Sequence, residues 1–142
     1  MNETMLIEQL QTHYQRLSQD NLGELMTLYD KQVEFCDPLH QIHGKSALEA
    51  YFRQLLKHTR QCLFTFHDSC INTHQAQLSW TMTFNHPRLA GGQPIELAGC
   101  SWLHFNQTIT WHRDYFDVSA MLHDHLPLVG GVSRWLKKRA GQ

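Results

Sequence analysis

The chain has few cysteines, few prolines and no long apolar run. Its four cysteines, Cys36, Cys62, Cys70 and Cys100, form no CxxC pair and lie in apolar or strand-like surroundings. That speaks against a disulfide frame and for small buried thiols in a reducing compartment. No stretch approaches the ~18 apolar residues of a membrane span. The opening Met1-Asn2-Glu3-Thr4 has neither a basic n-region nor an apolar h-region, so no leader is expected there and the predicted location is cytoplasmic. An excess of one charge is also lacking. The net charge of -1 gives no global reason to bind nucleic acid. Gly91-Gly92 and Gly130-Gly131 fit neither nucleotide-binding fingerprint. Eleven histidines are present, but no HxxxH and no Cys-His cluster at ligand spacing. His123-Asp124-His125 is a weak surface candidate at most, so neither a metal nor a cofactor is expected.

What is present is an ordinary globular composition. The 142 residues are 42% hydrophobic and 11% aromatic, enough for one domain with a real core and unlike a disordered chain. Arg134, Lys137, Lys138 and Arg139 hold four of the twelve basic residues. The sequence therefore divides into a domain over residues 5–120 and a basic amphipathic tail over 121–142.

Leu6, Leu10, Tyr14 and Leu17 recur at helical spacing, which predicts a first helix. Asp20 is placed to cap a second, carrying Leu22, Leu25, Met26, Leu28 and Tyr29. An extended segment from Val33 to Pro38 follows, because proline pushes Asp37 away from the α region. Ser46-Ala47-Leu48-Glu49 reads as a capping box for a third helix, with Leu48, Phe52, Leu55 and Leu56 as its stripe. Four strands follow: Cys62 to Ile71, Ala76 to Asn85, Ile95 to Phe105 and Ile109 to Val118. In the tail, Met121 to Leu126 predicts a helical turn. Pro127 to Val132 reads as apolar and flexible, and Ser133 to Arg139 as a short basic stretch around Trp135 and Leu136. Helices first and antiparallel strands after predict an α+β fold. The expected form is a cone-shaped curved antiparallel sheet packed on three N-terminal helices, a cystatin-like α+β barrel.

Alternation assigns faces. Thr110, His112, Asp114 and Phe116 share one face of the last strand. Leu78, Trp80, Met82 and Phe84 share one face of the second, and Ile95, Leu97, Gly99, Ser101, Leu103 and Phe105 one face of the third. A curved sheet closed by helices would gather Tyr14, Asp37, Trp80, Met82, Ser101, His112, Asp114 and Phe116 around one cavity. Asp114 beside His112 is either a His-Asp dyad or a buried structural pair. Asp37 before Pro38 is either a catalytic carboxylate or a turn residue capping the Leu39 to Ile42 loop.

The run from Tyr14 through Phe52 resembles the nuclear transport factor 2-like superfamily, in the branch of ketosteroid isomerases, SnoaL-like polyketide cyclases and limonene epoxide hydrolases. The pattern is a helix tyrosine (Tyr14), a helix ending in Leu28-Tyr29, the dipeptide Asp37-Pro38, and His43-Gly44 opening a helix. The resemblance implies Asp37 as general base and Tyr14 as oxyanion donor; ketosteroid isomerase is itself a standard worked case of this logic. Where the isomerases carry a second, protonated aspartate, this chain has Ser101. Trp111 to Asp117 resembles the last strand of the epoxide hydrolases, with Asp114 matching their aspartate and His112 as an addition. Their partner Arg-x-Asp has no counterpart in Leu78-Ser79-Trp80-Thr81-Met82.

The expected function is a small-molecule pocket that isomerises, cyclises or hydrates an apolar oxygenated ligand by carboxylate acid–base chemistry. Asp37, Tyr14, Asp114 and His112 are the candidate catalytic groups. Trp80, Met82, Ser101, Phe116 and Phe52 are the candidate ligand contacts. The alternatives are a non-catalytic binding module of the same fold, and a membrane-surface protein acting through its tail. A homodimer through the sheet is the expected assembly, with no nucleic-acid partner.

Overall fold

The computed structural model describes residues 2–59, 61–87, 90–121 and 129–141. Helix α1 (Glu3–Gln15) starts where the Asn2 side chain accepts the Met5 N–H at 2.8 Å. It buries Leu6, Ile7, Leu10 and Tyr14. Helix α2 (Leu22–Met26) is shorter than its apolar stripe suggests, and Asp20 is not its cap. Asn21 stands at that position but turns its side chain backward, accepting from Ser18 N–H at 3.0 Å and donating to the Arg16 carbonyl at 2.6 Å. Tyr29 leaves the helix altogether and opens strand β1 (Tyr29–Cys36). A short strand β2 (Gln41–His43), where a loop is expected up to Ile42, folds back antiparallel on β1. Helix α3 (Lys45–His58) then begins at Gly44, whose φ is +92° and whose N–H donates to the Val33 carbonyl at 2.7 Å. The expected capping box therefore does not form, because Ser46 already lies within the helix and no side chain caps its start.

Strands β3 (Cys62–Ile71), β4 (Gln75–Phe84), β5 (Ile95–Phe105) and β6 (Ile109–Phe116) complete one sheet in the order β2-β1-β6-β5-β4-β3. All pairs are antiparallel except β1 with β6, which is parallel. The sheet is thus mixed rather than wholly antiparallel, and it curves without closing into a barrel. The parallel pair arises because β1 enters beside the last strand, separated from it in sequence by the whole meander. Register shifts interrupt β1, β3 and the β5–β6 pair, as expected where a sheet is bent. The shift near His104 makes Thr110 an exposed extra residue, so it does not share the inner face of His112 and Asp114 as alternation predicts.

Helix α1 packs against β3 and helix α3 against β1, which covers one sheet face with a core from Leu6 to Ile109. On that face Trp80 pairs with Gly99, and a Cβ at Gly99 would lie 2.6 Å from the indole Cζ2. Only glycine leaves room there for the Trp80 ring to lie across β5.

Beyond β6, helix α4 (Val118–Met121) is short, and helix α5 (Val129–Ala140) carries the basic residues. Gly130, Gly131 and Val132 fall within α5, contrary to the flexible segment expected there. Lys137 forms a 2.6 Å ion pair with Asp117, which links α5 to the end of β6 and holds the Asp117 carboxyl down at about 2. Residues 122–128, and with them His123-Asp124-His125 and most of the expected Met121 to Leu126 turn, lie outside the described residues. No described helix is long and apolar enough to cross a membrane.

Candidate active site

The inner face of the sheet, α1 and α3 enclose a cavity of about 330 Å³, within the size range of small-molecule sites. Tyr14, Asp37, Phe52, Trp80, Met82, Asp114 and Phe116 all line it. Ser101 and His112 sit one layer behind, against a void of about 10 Å³.

Alternation along β6 puts His112 and Asp114 on the inner face, and antiparallel register sets Ser101 directly opposite Asp114. The Asp114 Oδ1 accepts from Ser101 Oγ at 2.5 Å and lies 2.7 Å from His112 Nε2. Ser101 in turn accepts from the Trp80 indole N–H at 2.9 Å. On its far side His112 meets the Tyr29 hydroxyl through Nδ1 at 2.9 Å, and Tyr29 meets Tyr14 at 2.7 Å. One continuous chain of hydrogen bonds therefore runs from Trp80 through Ser101, Asp114, His112 and Tyr29 to Tyr14.

With Asp114 ionised and His112 uncharged, the direction of every bond in that chain is fixed. A carboxylate only accepts, so neutral His112 carries its proton on Nε2 and offers a lone pair at Nδ1. Tyr29 then donates to His112, and Tyr14 donates to Tyr29. Burial holds both phenols well above their ordinary range, and the negative charge of Asp114 adds to this. Both therefore stay protonated donors. Asp114 retains some exposure, 17% for the side chain against 2% for His112. Its Oδ2 has no hydrogen-bond partner among the described residues.

Asp37 is held differently. Its Oδ1 accepts the backbone N–H groups of Leu39 at 2.8 Å and His40 at 2.7 Å. Its Oδ2 accepts the Tyr51 hydroxyl at 2.8 Å, and His40 Nδ1 approaches Oδ1 to 3.1 Å. Burial, then the charge of Asp37, pushes the Tyr51 hydroxyl far up, so it too remains a donor. Asp37 therefore caps its own turn and lines the cavity at once, with its side chain only 4% exposed.

The sequence reading did not single out Tyr29, His40 or Tyr51 as site residues. The periodicity places Tyr29 in a helix, and His40 falls in the Leu39 to Ile42 loop. The spacing of His40 three residues after Asp37, across a proline turn, was the legible signal, since an Asp-Pro turn brings those side chains together. Among the described residues no group of three or more His, Cys, Asp or Glu side chains is arranged to hold a metal ion.

Comparison with known proteins gives the same architecture. Solved structures superpose on most of the chain at low identity. A protein from Pseudomonas putida KT2440, provisionally named a polyketide cyclase, aligns with a TM-score of 0.75 at 14% identity, covering 86% of this chain and 96% of that one. A nuclear transport factor 2-like protein of unknown function from Burkholderia pseudomallei aligns at 0.74 and 14% identity, covering 86% and 95%. An LEH-like epoxide hydrolase of M. tuberculosis aligns at 0.67 and 15% identity, covering 82% and 84%. No curated protein matches the sequence significantly. The SnoaL-like domain profile matches residues 10–112, well over half of the chain, and with the shared nuclear transport factor 2-like fold this makes the protein a member of the SnoaL-like domain family.

Proposed function

We propose that the protein catalyses proton transfer at carbon in an apolar, oxygenated small molecule, with Asp114 as the general base. The observation that carries this reading is the asymmetry of the Asp114 carboxylate. Ser101 and His112 hold one oxygen at 2.5 and 2.7 Å, while the other is left open on a residue that lines the cavity. A base must be oriented by its neighbours and still have a lone pair free for the substrate proton. Asp114 meets both conditions. Asp37, with both oxygens engaged by its own turn and Tyr51, meets only the first.

In the reaction, Asp114 Oδ2 takes a proton from a carbon next to a carbonyl. The C–H electron pair forms a carbon–carbon double bond, and the carbonyl pair moves onto oxygen. Return of the proton at another carbon gives isomerisation, and attack of the enolate on a second carbonyl gives cyclisation. Trp80, Phe52, Met82 and Phe116 supply the apolar walls.

The test is deuterium exchange at C2 of 1-tetralone in D2O, followed by proton NMR. The wild-type protein is expected to accelerate exchange over buffer. Asp114→Asn should lower that rate by roughly 10²-fold or more without lowering the melting temperature enough to unfold the protein at assay temperature. Exchange that survives Asp114→Asn removes Asp114 as the base. Binding of 1-tetralone with no exchange favours the non-catalytic binding module.

A further inference from the structure

We propose that His40 is a second catalytic residue of this cavity, an imidazole acid–base anchored by Asp37 and acting together with Asp114. The inference builds on the proton-transfer reading but has a test of its own.

Abstraction of a proton next to a carbonyl builds negative charge on oxygen, and that oxygen needs a donor. The resemblance nominated Tyr14 for this role. In the hydrogen-bond chain set by ionised Asp114, however, the Tyr14 proton points at Tyr29. Three further donors at or behind the cavity wall are engaged as well: Tyr51 with Asp37, Trp80 with Ser101, and Ser101 with Asp114.

His40 has what these groups lack. Its Nδ1 lies 3.1 Å from Asp37 Oδ1, and a carboxylate there requires the ring proton on Nδ1. That leaves Nε2 with no hydrogen-bond partner among the described residues, on a ring that lines the cavity. The ring also leans on Tyr51, with centroids 4.8 Å apart. Exposure divides the labour: the His40 side chain is 45% exposed and its Asp37 anchor 4%. A buried carboxylate that fixes the tautomer of an accessible imidazole is the arrangement of an acid–base histidine.

The cavity thus holds two His–Asp pairs of opposite sense. At one, Asp114 faces the cavity and His112 stands behind it. At the other, His40 faces the cavity and Asp37 stands behind. As Asp114 Oδ2 takes the proton from carbon, the imidazolium form of His40 gives its Nε2 proton to the substrate oxygen. The products are an enol, a protonated Asp114 and a neutral His40 with its proton on Nδ1. The reverse transfers restore all three groups. Asp37 is on this view a positioning residue; Asp37 and Tyr51 touch the His40 ring, and the titratable side chains His58 and His86 line the same cavity.

The first measurement is the tautomer of His40 by 15N-resolved long-range NMR on the wild-type protein, which needs no substrate and no variant. Protonation at Nδ1 in the neutral ring, lost in Asp37→Ala, which removes the acceptor, is the expected result. A neutral ring protonated at Nε2 overturns the proposal. The second is the pH profile of 1-tetralone exchange for wild type and His40→Gln. The variant should lose the limb that follows His40 protonation and fall by roughly 10²-fold in kcat, with KM nearly unchanged. An unaltered profile also overturns the proposal. If wild type exchanges nothing, the reading of Asp114 as base fails, while the tautomer still decides whether His40 is the anchored imidazole described here.

Discussion

Burial of ionisable side chains sets how single residues respond to alkali. Cys62 is 3% exposed at the start of β3, and burial pushes its thiol up from 9.0 to about 12. Tyr14, Tyr29 and Tyr51 are raised as well, burial being the largest cause for each. Above the ordinary thiol range the folded protein therefore holds more protons than the unfolded chain. Stability from these groups is complete below about pH 9 and declines as pH rises toward 12. The melting temperature is expected to be flat from pH 7 to 8.5 and to fall steadily above it. Alkylation with iodoacetamide at pH 8.5, read by peptide mass, should modify exposed Cys70 first and leave Cys62 untouched until the protein unfolds. Equal rates at the two cysteines would mean that Cys62 is not sealed in the core.

At the scale of elements, strands were more legible than helix starts. The bounds of β3 and β5 match the strands expected from the sequence, and alternation along β5 gives the inward position of Ser101. Alternation reads well in β5 because one face is buried and the other is not, so a slip would turn every side chain over. It fails at Thr110, where a register shift inserts a residue that no periodic pattern announces. The parallel pairing of β1 with β6 was not legible either, since it joins segments nearly 80 residues apart and leaves no local trace. The start of α3 was misread because Ser46-Ala47-Leu48-Glu49 fits a capping box, whereas tertiary pairing of Gly44 with Val33 places the boundary earlier. The same local bias hid half of the candidate site: Asp114 and His112 show in the alternation of β6, but the partners that orient them, Tyr29 above all, arrive from the parallel strand. This correction makes a prediction. Gly44→Ala forces a side chain into φ +92° and should cost about 1–2 kcal/mol. Ser46→Ala should cost almost nothing, because Ser46 caps nothing. A thermal melt separates the cases: a drop of roughly 3–8 °C for the first and none for the second. The reverse order would restore the capping box.

For the molecule as a whole, the open question is what meets the outer face of the sheet. That face carries Trp102, His104 and Trp111 in mutual contact, with ring centroids 5.6 Å apart for the two tryptophans and 4.4 Å for His104 with Trp111. The His104 Nε2 is buried there with no hydrogen-bond partner among the described residues, a costly state for a polar atom. Beside the aromatic group, Tyr115 is 43% exposed under the Arg113 guanidinium. Glu34, which faces Trp111 across the β1–β6 pair, lies with Arg113 around a cleft of about 390 Å³. A patch that holds an aromatic centre, one exposed cation and one exposed carboxylate is self-complementary under a two-fold axis, since each Arg113 can then face the Glu34 of the other copy. We therefore expect a homodimer through this face. Size-exclusion chromatography with light scattering should give about twice the chain mass of 16.6 kDa. Arg113→Glu should shift the protein toward monomer, and adding Glu34→Arg to it should restore the dimer. The double variant is the decisive arm, because rescue needs the two residues to meet across the interface. A wild-type monomer at micromolar concentration, or a dimer indifferent to both changes, would instead leave the outer face without the partner assigned to it.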